Sequence, residues 1–144
     1  MRSPVLTDEI LLSVEKPARY IGGEFNSCMK DKNSVDIRFA MCFPDVYEIG
    51  MSNLGVAILY DQFNRRGDTW CERVFCPWVD LADILRREGI PLFALESQDP
   101  VRDFDFLAFS IGYEMCYTNI LEVLDLAGIP AMARERDEIG RAHV

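Results

Sequence analysis

Histidine is almost absent from this 144-residue sequence: it occurs once, as His143. Ser–His, Cys–His and multi-histidine metal schemes therefore have little to draw on. Basic residues are scarce too. Lys and Arg number 15 against 24 Asp and Glu, a net charge of −9. An acidic surface repels phosphate backbones, which argues against direct nucleic-acid binding. No apolar run approaches the ~20 residues that span a bilayer, so no membrane partner is expected. The opening Met1 to Leu12 is not a secretory signal, and a cytoplasmic location is the expectation. Neither G-x-G-x-x-G nor G-x-x-x-x-G-K-[ST] occurs, so neither familiar mode of nucleotide binding is supported. The five cysteines, Cys28, Cys42, Cys71, Cys76 and Cys116, include no C-x-x-C pair. An odd count without an export signal predicts reduced thiols acting as small buried hydrophobes.

The last six residues, Ile139-Gly140-Arg141-Ala142-His143-Val144, match one reading frame of a common sequencing adapter, which meets a stop codon after Val144. The expectation is that natural coding stops near Asp137, that residues 139–144 are an artefact, and that the genuine segment holds no histidine.

What is present is core-forming material: 49% of residues are hydrophobic and 11% aromatic, enough for one domain of ordinary size. Residues 1–34 read as a preamble, with Leu11, Leu12 and Val14 on a short helix that ends before Pro17. From Val35 strands and helices alternate. Val35 to Pro44 is a strand finishing in a continuous apolar run, as expected for burial on both faces. A helix follows with Leu54, Ile58 and Leu59 on one stripe, Arg65 and Arg66 at its end and Gly67 as cap. Trp70 to Phe75, Pro91 to Leu95, Phe104 to Ile111 and Ala131 to Ala133 are predicted as further strands, the last of them cut short. Helices carrying Trp78, Leu81, Ile84 and Leu85, and then Ile120, Val123, Leu124 and Ala127, lie between. Two joints share one solution: Glu88-Gly89-Ile90-Pro91 and Ala127-Gly128-Ile129-Pro130 each pair a left-handed glycine cap with a proline that forbids further helix. The pattern predicts an α/β, doubly wound parallel sheet of about five strands, Rossmann-like or flavodoxin-like, spanning residues 35–138.

In such sheets ligands sit beyond the carboxyl ends of the strands. The first-strand loop supplies Asp45, Tyr47, Glu48, Gly50, Ser52, Asn53 and Gly55. The loop after Phe104 to Ile111 supplies Ser110, Gly112 and Tyr113. The two loops are neighbours if the first strand is central. Asp45 and Glu48 fit a general acid/base pair or helix caps. Ser52 fits an N-cap, Tyr113 and Tyr117 a pocket wall or a loop anchor, and Trp78 a ligand cover or core packing.

Four blocks stand out: Ser13-Val14-Glu15-Lys16-Pro17-Ala18-Arg19-Tyr20-Ile21-Gly22-Gly23-Glu24; Phe43-Pro44-Asp45-Val46-Tyr47-Glu48-Ile49-Gly50-Met51-Ser52-Asn53-Leu54-Gly55; Trp70-Cys71-Glu72-Arg73-Val74-Phe75; and Leu124-Asp125-Leu126-Ala127-Gly128-Ile129-Pro130. In this order they resemble the opening of a bacterial family of radical SAM proteins with an N-terminal cobalamin-binding-type domain. The resemblance implies a small-molecule cofactor, cobalamin, in this domain. It also implies a radical SAM barrel further along the same chain, whose C-x-x-x-C-x-x-C loop carries a [4Fe–4S] cluster and S-adenosylmethionine. This segment alone would then have no catalysis. Many cobalamin domains place a histidine after the first strand as the lower axial ligand of cobalt; Asn53 stands near that place here, and an amide is a poor cobalt ligand. The alternative is a degenerate structural domain that packs on the barrel without cobalamin, with Tyr113 or Trp78 filling the crevice.

Overall fold

A computed structural model describes residues 5–136; the expected artefact at 139–144 lies outside the described residues. Three parallel strands form one sheet: β1 (Ile37–Phe43), β2 (Thr69–Phe75) and β3 (Phe106–Phe109), in the order β2-β1-β3. Register runs from Ile37 opposite Thr69 to Phe43 opposite Phe75, and from Phe39 opposite Phe106 to Cys42 opposite Phe109. The helices are α1 (Asp8–Ser13), α2 (Tyr47–Met51), α3 (Leu54–Asn64), α4 (Val79–Glu88) and α5 (Tyr117–Ala127).

Strand alternation divides the core into two faces. Ala40, Cys42 and Val74 point to one side, where Leu81, Ile84 and Leu85 of α4, Val123, Leu124 and Leu126 of α5, and Leu6, Val14 and Tyr20 of the preamble gather. Met41, Phe43 and Cys71 point to the other, against Val56 and Tyr60 of α3 with Phe39, Phe63 and Phe75. Each fully buried aliphatic side chain contributes ~1.5–3 kcal/mol relative to exposure. The preamble is thus part of the core. The structure is α/β with a parallel sheet, consistent with a Rossmann-like fold.

The sheet is smaller than expected. Pro91 to Leu95 does not join it as a strand. Phe93 makes one antiparallel bridge to Pro100, and the Leu95 N–H donates to the Arg73 carbonyl at 2.8 Å. The chain then turns through Gln98 at φ 58°. The crossover over α4 runs instead from β2 to β3. Ala131 to Ala133 is not a strand either. Ala133–Glu135 is a 3-10 turn, and the Arg136 guanidinium donates to the Pro130 and Ala131 carbonyls at 2.6 Å each. That bond pair holds the segment on itself.

Two glycine caps match expectation: Gly89 and Gly128 end α4 and α5 in the left-handed region, at φ 66° and 68°. Gly67 does not cap α3, which ends at Arg65 in right-handed conformation. The expected buried stripe of α3 is also corrected. Leu54, Ile58 and Leu59 are exposed, and Val56 and Tyr60 face the sheet. The helix is apolar nearly all round, so periodicity did not define its inner face. Contacts on the sheet did: Phe63 stacks on Phe39 at 4.6 Å, and the Tyr60 hydroxyl accepts the Cys28 N–H at 2.7 Å.

Candidate functional site

The carboxyl ends of the strands are laced together. The Tyr113 hydroxyl donates to Asp45 Oδ2 at 3.2 Å, and Asn119 Nδ2 donates to the Pro44 carbonyl at 2.9 Å. The Cys76 N–H donates to the Asp45 carbonyl at 3.0 Å. The first-strand loop and the loop after β3 are neighbours, as a central β1 requires. The proximity of the Asp45 carboxylate holds the Tyr113 phenol above its ordinary pKa.

Asp45 and Glu48 do not form a pair. Asp45 Oδ1 accepts the Val46 N–H at 2.8 Å. Glu48 turns toward the preamble, where the Arg19 Nε donates to both its oxygens at 3.0 Å and Lys16 lies at 3.3 Å. Its own backbone N–H and these two cations hold the carboxyl below the usual range. A carboxylate so held is a weak base.

The segment expected as loop contains α2, which begins at Tyr47. The Tyr47 hydroxyl donates to Glu24 Oε1 at 2.7 Å, and burial with that carboxylate pushes the phenol up to about 12. Ser52 is not an N-cap: its hydroxyl donates to the Glu48 carbonyl at 2.7 Å. Asn53 is the cap of α3, its Oδ1 accepting the Val56 N–H at 3.0 Å. Gly55 lies beside it, 3.2 Å from Asn53 Oδ1 to a Cβ placed there. Gly50 is buried against the Phe75 ring, where a Cβ would lie 2.2 Å from a ring carbon. The Ser110 N–H continues the β1–β3 ladder to the Cys42 carbonyl at 2.9 Å, and Gly112 faces open space. Trp78 is 43% exposed, with the Arg19 guanidinium 5.6 Å from its ring centre, so it belongs to the surface rather than the core.

A cleft among the described residues lies elsewhere than between these two loops. A space of about 560 Å³ opens between α2, α3 and the outer side of β2, lined among others by Asn26, Met51, Asn53, Ala57, Tyr60 and Arg73. Gly50 and Asn53 are the two expected site residues that line it. At its floor Arg73 donates from Nε to Glu96 Oε1 at 2.6 Å and from Nη2 to Glu24 Oε2 at 2.8 Å, its guanidinium 4.9 Å from the Tyr60 ring centre. Burial raises the Glu96 carboxyl, against the pull of Arg73. These groups were missed from sequence, although one signal was present: Glu72 and Arg73 are charged residues inside an otherwise apolar strand.

A family model described as radical SAM proteins, N-terminal, matches residues 55–141. The chain belongs to this radical SAM N-terminal family. No curated protein and no solved structure matches it. The family implies an iron–sulfur cluster and S-adenosylmethionine in the full protein. The residues here do not fit that cluster. Among the described residues no three His, Cys, Asp or Glu side chains converge as a metal site. The five cysteines are free thiols and four are buried. Burial pushes Cys71 and Cys76 up to about 12, far from the thiolate a cluster needs. Among the described residues no helix is long and apolar enough to cross a membrane.

Proposed function

We propose that this radical SAM N-terminal chain is a positioning domain. It packs on a catalytic barrel of the same protein, which supplies the cluster and S-adenosylmethionine, and holds a small molecule in the cleft beside α2 and α3. The observation that carries this reading is the cleft itself. Its volume of about 560 Å³ falls in the range of small-molecule sites. Its lining joins apolar groups, Met51, Val56 and Phe75, to polar ones, Asn26 and Asp61.

Cobalamin is the alternative occupant. Two observations favour a substrate over it. Asn53, near the place of an axial ligand, is spent on capping α3. The loops after β1 and β3, between which the cofactor is expected, are tied together by the Tyr113 hydroxyl on Asp45.

Ala57 is exposed and lines the cleft, so Ala57→Trp narrows it without entering the core. In the full protein this variant should raise KM at least about tenfold, with kcat and thermal midpoint nearly unchanged, the signature of lost ground-state binding. An unaltered KM would overturn the cleft assignment. Titration with micromolar hydroxocobalamin should leave the corrin absorbance unchanged; a shift would restore cobalamin as the occupant.

A further inference from the structure

The two edges of the sheet differ. The outer edge of β2 is blunted by other groups. Lys30 Nζ donates to the Thr69 carbonyl at 2.5 Å, and the Asn64 side-chain amide serves both the Cys71 N–H at 3.0 Å and its carbonyl at 2.9 Å. Glu96 accepts the Arg73 N–H at 2.7 Å, and the Leu95 N–H takes the Arg73 carbonyl. Among the described residues the outer edge of β3 has no such cover. In a parallel ladder alternate residues bond a given neighbour. The Ser110 N–H meets the Cys42 carbonyl, so the N–H and C=O groups of Leu107 and Phe109 point outward. Among the described residues no strand adjoins that edge. The strand is apolar, yet Phe106 is 53% exposed, and Leu107, Ala108 and Phe109 are all half-buried. A parallel strand is ordinarily covered on both faces, and an open apolar edge is a template for pairing.

The chain path says what belongs there. α3 lies on one face and carries the chain from β1 to β2. α4 lies on the other face and carries it the opposite way, from β2 past β1 to β3. Both crossovers therefore have one hand. α5 shares the face of α4, so the same hand places the next strand beyond β3, away from β1. Two further observations agree. α5 ends beside the Val101–Asp103 turn that leads into β3: a Cβ on Gly128 would lie 3.6 Å from Arg102 Nη1. One flank of α5 meets α4 through Arg86 with Glu122 and Asp125, at 2.7 and 2.9 Å. Tyr117 and Leu121, one turn apart on α5, are exposed apolar side chains among the described residues.

We propose that the edge of β3 accepts a fourth parallel strand, apolar on both faces, supplied by the full protein's own polypeptide downstream of α5. The inference rests on the positioning-domain reading in that it takes the protein to extend beyond this chain. Hydrogen exchange on the 144-residue chain and on the full gene product tests it. In the short chain the Leu107 and Phe109 amides should exchange rapidly, while those of Ala40 and Cys42, inside the ladder, are protected. In the full protein the Leu107 and Phe109 amides should slow at least about a hundredfold, independent of concentration. Full protein that assembles its cluster yet leaves these two amides fast would overturn the strand and spare the positioning reading. Protection that appears in the short chain only as concentration rises would overturn it in favour of a second copy. A gene that ends with this chain would overturn both.

Discussion

At the level of single residues the charged groups inside the sheet matter most. Arg38 enters the core from β1, its guanidinium 4.1 Å from the Phe104 ring centre and 5.3 Å from that of Trp70. It pairs with Glu72, fully buried, and with Asp99 at 2.8 Å, and donates to the Ser97 hydroxyl at 3.0 Å. Lys32 reaches Asp99 from the preamble at 3.2 Å. Removing one partner of such a set strands the other charge out of water. Arg38→Met should therefore cost roughly 3–5 kcal/mol of stability in urea unfolding. Arg38→Met with Glu72→Leu should recover much of that loss. A double variant as unstable as the single one would show that the ion pair, rather than the stranded carboxylate, carries the stability. The candidate site was legible only in part for the same reason. Asn53 and Gly50, expected between the loops after β1 and β3, line the cleft beside β2 instead. The partners that shape its floor, Glu24, Glu96 and Arg73, are separated by 49 and 23 residues, and no local pattern joins them.

Among the elements, α3 shows how propensity and tertiary contact divide the work. Its start is local: Asn53 holds the Val56 N–H, and Asn53→Ala should cost about 1 kcal/mol. Asn53→Ser, which keeps a capping oxygen, should cost much less. Equal losses for both would mean that Asn53 acts through the cleft instead. The entry to α3 is set by packing, since Gly50 must pass under the Phe75 ring. Gly50→Ala should cost ~1–3 kcal/mol of stability in urea unfolding through overpacking, while Gly112→Ala, in open space, should be close to neutral. Glycine caps at Gly89 and Gly128 were readable because a left-handed residue followed by proline is a local solution. The strand expected at Pro91 to Leu95 was not settled by local signals. Its apolar run is real and it is buried, but the edge of β2 it would pair with is already served by Asn64 and Lys30.

For the molecule as a whole, acid stability follows from the same ion pairs. Burial opposes ionisation of Glu24 and Asp99. For Glu24 the Tyr47 hydroxyl and Arg73 outweigh it, and for Asp99 Lys32 and Arg38 do; both carboxyls are held low. Glu48 is held low by its backbone and Arg19. A carboxylate whose folded pKa lies below its unfolded value adds stability that is present above the unfolded value, ~3.9–4.3, and is lost as pH falls through the folded one. Glu96, raised by burial, has the opposite sign, and its contribution is lost as pH rises through its folded value. With Asp68, held low by Arg66, four lowered carboxyls against one raised predict a lower urea midpoint at pH 3 than at pH 7. A midpoint that rises on acidification would show that Glu96 dominates.

By itself the sequence determined the α/β class, the alternation of strand and helix and the two glycine–proline joints. These rest on periodicity and on backbone preference within a few residues, which are local. Tertiary structure alone decided that three segments rather than five are strands among the described residues, which side of α3 faces inward, that the two loops are neighbours, and that a cleft lies beside β2. Each depends on which distant group reaches a given N–H, carbonyl or ring first: Asn64 and Lys30 at one sheet edge, nothing among the described residues at the other. That competition has no expression in the order of residues along the chain.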